Sequence, residues 1–152
     1  MVILIENLFV ESKDLPISNT TTIEKEIPIA ILNLIQDYKS WGIPLRVINT
    51  GHCLDFAEEI MRRLKLPSDS FTFMENYYGE EDIEFPLSRL PEVLPPSHAQ
   101  DNDLRLFLST MTHVWITYKG RHYDAEAPYG VDHVWELPLI KRLIKEYYSS
   151  LS

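Results

Sequence analysis

Residues Asn49–Leu64 read NTGHCLDFAEEIMRRL, and they place the single cysteine of this 152-residue chain, Cys53, at the start of an amphipathic helix. Apolar residues follow Cys53 with the spacing of one buried helix face: Phe56, Ala57, Ile60, Met61 and Leu64. The first turn of a helix stabilises a thiolate through its unpaired N–H groups and its dipole. Free cysteine is also among the most buried residue types, so this stretch alone favours a structural cysteine over a nucleophile.

A second stretch, Thr112–Ala125, predicts a β-hairpin that turns at Lys119-Gly120. With a two-residue loop, the facing pairs are Tyr118–Arg121, Thr117–His122, Trp115–Asp124 and His113–Glu126. That register leaves one face apolar, with Val114, Ile116, Tyr118, Tyr123 and Ala125. A three-residue loop would instead set Ala125 opposite His113. The clean separation of polar and apolar faces favours the two-residue loop.

His113, Asp124 and Glu126 share the polar face of this predicted hairpin, with Asp124 diagonal to His113. A carboxylate beside a histidine fixes the tautomer and orientation of the ring, and it supports the imidazolium that forms during catalysis. The hairpin therefore predicts a general base, His113, oriented by Asp124 or by Glu126. A hydrogen-bonded structural histidine is the alternative.

Together these segments resemble the papain-like and transglutaminase-like cysteine hydrolases. The resemblance lies in Gly51-His52-Cys53 opening a helix, His113-Val114-Trp115 on a strand, and Tyr123-Asp124 on the next strand. It implies an α+β fold with a papain-like core, in which an N-terminal, Cys-bearing helix packs on an antiparallel β-sheet and a C-terminal helix follows.

The same resemblance assigns the nucleophile to Cys53, the base to His113 and the orienting acid to Asp124. It implies cysteine peptidase or amidase chemistry, or transglutaminase-like acyl transfer, through a thioester. The upstream glutamine that often helps form an oxyanion hole is missing, and Asn49 is the nearby amide. Further residues are expected to line the cleft: Gly51, His52 and Trp115.

Two other kinds of function fit these residues. Cys53, His113 and Asp124 are of residue types that bind zinc, and His122 and Glu126 are nearby. The closely spaced ligand motifs of known zinc-binding families are missing. A non-catalytic binding or inhibitory module could keep the fold after losing catalysis. In that case the acidic and proline-rich segment 75–103 would be the recognition surface. Otherwise this segment is a surface insertion or a lid.

Composition limits the class of protein. A chain of 152 residues with 45% hydrophobic content predicts one globular domain over residues 1–152. A net charge of −9 argues against a nucleic-acid partner, and no stretch approaches the ~18 apolar residues of a membrane helix. With one cysteine and no recognisable signal peptide, we expect a cytoplasmic protein. We expect no metal or other cofactor, and a peptide, protein or other amide as the substrate.

The remaining predicted elements follow from periodicity and from turn residues. Helices are expected at Ile23–Trp41, beginning near Pro28, and at Leu137–Tyr148. Extended segments are expected at Val2–Val10, Leu45–Ile48 and Ser70–Met74. The alternation of leucines in Asp103–Thr110 fits either a capped helical turn or the start of a strand.

Overall fold

A computed structural model describes residues 16–67, 70–73 and 93–152, and this part of the chain is a mixed α+β structure. Its helices are α1 (Pro16–Ser40), α2 (Leu45–Gly51), α3 (Cys53–Leu64), α4 (Asn102–Ser109) and α5 (Pro138–Ser150). Its strands are β1 (Phe71–Phe73), β2 (Val114–Tyr118), β3 (Arg121–Asp124) and β4 (Ala127–Val131). They form an antiparallel sheet in the order β1-β2-β3-β4. The predicted strand Val2–Val10 and the acidic segment up to residue 92 lie outside the described residues.

The β2–β3 hairpin has the predicted register. Tyr118 pairs with Arg121 across a two-residue loop in which Lys119 and Gly120 both have positive φ, 53° and 77°. Two positive φ angles are typical of the type I′ turn, whose twist matches that of the flanking strands. The predicted apolar face lies in the core against α1 and α3 through Val114, Ile116, Tyr123 and Ala125.

The prediction that His113 lies opposite Glu126 is wrong. It required β3 to continue past Asp124, but the chain turns at Ala125 and Glu126 and pairs Asp124 with Ala127 of β4. The Asp124 side chain holds this turn by accepting hydrogen bonds from the backbone N–H groups of Glu126 and Ala127. Glu126 is therefore a turn residue.

Helix α1 begins at Pro16, twelve residues before the predicted start at Pro28, which lies inside the helix. A proline in a helix interior usually costs about 3 kcal/mol. Tertiary burial offsets this cost, because one face of α1 is buried at helical spacing: Ile27, Ile31, Leu34 and Tyr38.

Residues Leu45–Ile48 are helical, not extended as predicted, because they form the first part of α2. Pro44 precedes the helix in an extended conformation, and its carbonyl accepts hydrogen bonds from Val47 and Ile48. Burial of Ile48 outweighs the β-propensity of its branched side chain. Helix α2 ends at Gly51, and His52 alone separates it from α3.

Two apolar clusters lie against the sheet. The first packs α1, α2 and α3 on Val114, Ile116 and Tyr123, and so the cysteine-bearing helix lies on the sheet. The second packs α4 and α5 around Trp115 and Ala127. Helix α4 resolves the alternatives for Asp103–Thr110 in favour of a helix, capped by the Asp101 carboxylate, which accepts from Leu104 N at 3.0 Å. In the residues that the structure describes, no helix is long and apolar enough to cross a membrane.

Candidate active site

His113 and Asp124 form a buried pair at one end of the hairpin. His113 directly precedes β2, and Asp124 is the last residue of β3. Nε2 of His113 lies 3.0 Å from Oδ2 of Asp124, and the two side chains are 0% and 2% exposed. Of the two carboxylates expected to orient His113, the one that contacts the ring is Asp124.

Asp124 uses both carboxylate oxygens. Oδ2 faces His113, while Oδ1 accepts the N–H groups of Glu126 and Ala127 at 2.9 Å each. A carboxylate has two acceptor oxygens, whereas an amide has only one. The same side chain therefore fixes the ring of His113 and the β3–β4 turn.

The Cys53 thiol lies at the first residue of α3, half-buried, in contact with His113. Burial of the thiol raises its pKa. Contact with His113 and hydrogen bonds from the backbone at Val114 and Leu54 outweigh burial, so the pKa of Cys53 is lowered. A helix start and a neighbouring imidazole thus favour the thiolate.

The pKa of His113 shifts in the opposite direction to that of Cys53. Burial alone would lower the pKa of its ring, but the hydrogen bond to Asp124 and the contact with Cys53 raise this pKa from 6.5 to about 9. A lowered thiol pKa and a raised imidazole pKa both favour a thiolate–imidazolium pair. The two groups titrate together, as interacting neighbours do.

Nδ1 of His113 is the nitrogen left for the thiol, since Nε2 is bonded to Asp124. Nδ1 is buried and lacks a complete hydrogen bond, and among the described residues no other buried side-chain nitrogen or oxygen atom does so. The thiol is close enough to shift the pKa of the ring, but it does not meet the full geometry of a hydrogen bond to Nδ1. Loose contacts of this kind are common in catalytic pairs without substrate.

Asn49 is buried, 1% exposed, and its side chain lines a small cavity beside Cys53. Its Nδ2 donates to Oε1 of Glu126 at 2.9 Å. Glu126 in turn accepts two hydrogen bonds from the guanidinium of Arg142 on α5, each 2.8 Å long. Both residues expected to assist the site are therefore near it, but Glu126 contacts Asn49 instead of His113.

The residues expected to line the cleft separate into two groups. Trp115 is buried, stacks on His113 with ring centroids 5.5 Å apart, and lines the cavity. Gly51 and His52 are not among the residues that line it. Gly51 is exposed, and a Cβ added to it would have nothing within 4 Å; the ring of His52 packs edge-on against Tyr38 of α1. The break between α2 and α3 directs these two residues away from the cavity.

One contributor to the site, Arg142, was not predicted, and neither was the contact of His122 with Trp115. Arg142 lies on α5, and the sequence gives no sign of its contact with Glu126, because the two segments approach each other only through tertiary packing. His122 is buried, and its Nδ1 accepts from Nε1 of Trp115 at 3.1 Å. The register pairs His122 with Thr117, so this contact follows from the hairpin in retrospect. His122 fixes the indole that stacks on His113.

The described part of the chain contains no group of three or more His, Cys, Asp or Glu side chains arranged to hold a metal ion. The ring of His113 explains this for the expected ligand set: Asp124 occupies Nε2, and the thiol of Cys53 is left with Nδ1.

The site is thus built from the start of α3, the residue before β2 and the end of β3, with Asn49 of α2 at the cavity wall. Comparison of the chain with models of protein families, with curated proteins and with solved structures finds no match.

Proposed function

We propose that this protein is a cysteine hydrolase that acts on an amide or ester carbonyl through Cys53, His113 and Asp124. One observation carries the proposal. The fully buried His113 is hydrogen-bonded to Asp124 through one nitrogen, and its other nitrogen has no complete partner and is left for the thiol of Cys53. A structural histidine would have both nitrogens satisfied, because an unpaired buried polar atom costs about 1–3 kcal/mol.

The reaction follows from this arrangement. Nδ1 of His113 takes the thiol proton, and the Cys53 thiolate forms a bond to the carbonyl carbon while the carbonyl π electrons move to oxygen. When the tetrahedral intermediate collapses, the imidazolium gives its proton to the departing amine or alcohol, which leaves a thioester on Cys53. Water then hydrolyses the thioester, or an amine takes the acyl group.

Stabilisation of the oxyanion falls to groups beside the thiol. The backbone N–H of Cys53 lies at the start of α3, and the Asn49 amide lines the same cavity. One such donor is typically worth about 3 kcal/mol. Gln36, the glutamine upstream of Cys53, is exposed on α1 and does not line the cavity, which leaves Asn49 as the side-chain donor. The papain-like or transglutaminase-like affiliation of the fold, the cytoplasmic location and the peptide or protein substrate are parts of the same proposal.

Alkylation of Cys53 by iodoacetamide between pH 5 and 10 tests the proposal. We expect the midpoint of the rate profile to lie below about 8.5, the value of a free thiol, since the pKa of Cys53 is lowered. The Cys53→Ser variant supplies the blank, because Cys53 is the single cysteine. A wild-type midpoint at or above 8.5 would remove the activated thiol and with it the proposed chemistry.

A non-catalytic binding module is the second candidate, and the size of the cavity favours it. The space beside Cys53 measures about 10 Å³, roughly the room that one water needs. A substrate side chain does not fit in this space, so a substrate would have to lie outside it, against the partly exposed Cys53. Incubation with p-nitrophenyl acetate distinguishes the two candidates: an acetyl group found on Cys53 by mass spectrometry supports the hydrolase. A thiol that alkylates readily at low pH but is never acylated supports the binding module.

A further inference from the structure

Glu126 joins two distant parts of the chain next to the proposed active site. Its carboxylate accepts from Asn49 of α2, 77 residues earlier, and from Arg142 of α5, 16 residues later. The Glu126 side chain is 10% exposed and that of Arg142 is 26% exposed. Paired, charge-assisted hydrogen bonds in so sheltered a place hold both groups in one geometry.

This carboxylate also determines which way the Asn49 amide points. An ionised carboxylate only accepts hydrogen bonds, so the amide nitrogen of Asn49 must face Glu126 and its oxygen must face elsewhere. The same nitrogen carries a second N–H. Asn49 is buried and lines the cavity beside Cys53, so a group bound against the thiol would lie next to this amide.

The position of Glu126 is itself tied to the catalytic pair. Oδ1 of Asp124 accepts the backbone N–H of Glu126 at 2.9 Å, while Oδ2 of the same carboxylate accepts from His113. One aspartate thus orients the base and also the turn that carries Glu126. The base and the amide donor are therefore held relative to each other through a single side chain.

We propose that Glu126 and Arg142 are positioning residues that hold the Asn49 amide in place as an oxyanion donor. The inference rests on the proposed function, since it assigns a role within the acylation of Cys53. Neither Glu126 nor Arg142 touches the reacting atoms, and both act through Asn49. Through the Glu126–Arg142 pair, helix α5 contributes to the active site, although none of its residues is among those that line the cavity in the described part of the chain.

Two reactions of the same thiol separate this role from a purely structural one. Acylation by p-nitrophenyl acetate forms the S–C bond at a carbonyl carbon and passes through an oxyanion before p-nitrophenolate leaves with the electron pair of the broken C–O bond. Alkylation by iodoacetamide displaces iodide from a saturated carbon and forms no oxyanion. A donor aimed at the oxyanion accelerates the first reaction and leaves the second unchanged.

The Arg142→Met variant is expected to lose about tenfold to a hundredfold in the acylation rate, with the alkylation rate and its pH midpoint unchanged. Asn49→Ala should lose at least as much, and the double variant no more than Asn49→Ala alone, since both changes act through one amide. Arg142→Lys restores the charge without the paired hydrogen bonds, so it should recover part of the loss. Arg62→Gln removes an exposed arginine–carboxylate pair at the far end of α3 and is the matched control.

Losses in Arg142→Met and Asn49→Ala that add in the double variant would overturn the inference, and so would an equal fall of acylation and alkylation. Unchanged acylation in a folded Arg142→Met variant would do the same. If Arg142→Met fails to fold, Arg142→Lys carries the test, with a loss confined to acylation as the supporting result. Failure of the proposed function itself is distinguishable, because it shows in the wild-type protein as a thiol that alkylates with the midpoint of a free cysteine.

Discussion

Replacement of Asp124 by asparagine, a nearly isosteric change, tests the central pair of the site. In the wild-type protein, both oxygens of Asp124 accept hydrogen bonds, one from His113 and the other from the N–H groups of Glu126 and Ala127. Asparagine offers one acceptor oxygen and a donating NH₂ group. Asp124→Asn therefore leaves either the ring or the turn facing a donor instead of an acceptor.

The expected effect on the thiol follows from the pKa of the ring. Raising the pKa of His113 from 6.5 to about 9 corresponds to about 3 kcal/mol in favour of the charged ring, and the hydrogen bond to Asp124 is the largest of the causes that raise it. If half or more of that stabilisation is lost, the pKa of the ring falls by about one unit or more, and the imidazolium becomes a neutral ring at a lower pH. We expect the midpoint of the Cys53 alkylation profile to move up towards about 8.5, because a neutral ring no longer stabilises the thiolate.

The assay is the rate of carbamidomethylation of Cys53 between pH 5 and 10, with the free energy of unfolding measured in urea. Asp124→Asn should lose about 1–3 kcal/mol of that free energy, because a buried donor loses its acceptor. Asp101→Asn is the matched control, since both oxygens of Asp101 also accept hydrogen bonds, from Leu104 N and from the Tyr148 hydroxyl, away from the cavity. A folded Asp124→Asn protein with the wild-type midpoint would refute the view that Asp124 sustains the imidazolium.

Two further predictions concern stability. In Cys53→Ser, the stabilisation from the raised pKa of His113 should be complete below pH 6.5 and be lost as the pH rises through the pKa of the folded ring, which Asp124 still raises. In the wild type, the lowered pKa of Cys53 offsets this loss. Urea titrations at pH 6, 7.5 and 9 compare the two slopes of stability against pH, and identical slopes would contradict the coupling. Gly130→Ala should lose more than about 1 kcal/mol, because φ is +81° and a Cβ would lie 2.6 Å from Tyr123 Cε2. Gly51→Ala is the control, because a Cβ added there has nothing within 4 Å; its free energy of unfolding should stay within about 0.5 kcal/mol of the wild-type value in the same titration. Equal losses in Gly130→Ala and Gly51→Ala would contradict the prediction.

The sequence predicted the parts of the site that depend on local pairing. A two-residue loop fixes the register of a hairpin, so the faces of β2 and β3 follow from Lys119-Gly120 and from the alternation of side chains. The amphipathic stripe after Cys53 likewise predicted α3 and its buried side. Asp124 beside His113 is a consequence of that register.

The parts that escaped prediction depend on contacts between distant segments. Strand β4 was not predicted. Pro128 and Gly130 are uncommon inside strands, but an edge strand tolerates a proline, and Gly130, with a positive φ, lies close to the ring of Tyr123. The first part of helix α2, Leu45–Ile48, was predicted as extended, and the β-branched side chains of Val47 and Ile48 do favour strands, but burial in the folded protein makes it helical. Glu126 was assigned to His113 because nothing in the sequence marks the end of β3 at Asp124.

The distance along the chain between thiol and base affects when the site appears during folding. The β2–β3 hairpin closes over two residues and belongs to the class of elements that form within microseconds, whereas docking of α3 on β2 joins residues sixty positions apart. Until that docking occurs, Cys53 lacks the contacts with His113 and with the Val114 backbone that lower its pKa. Rapid alkylation at low pH would therefore report the arrival of the native state.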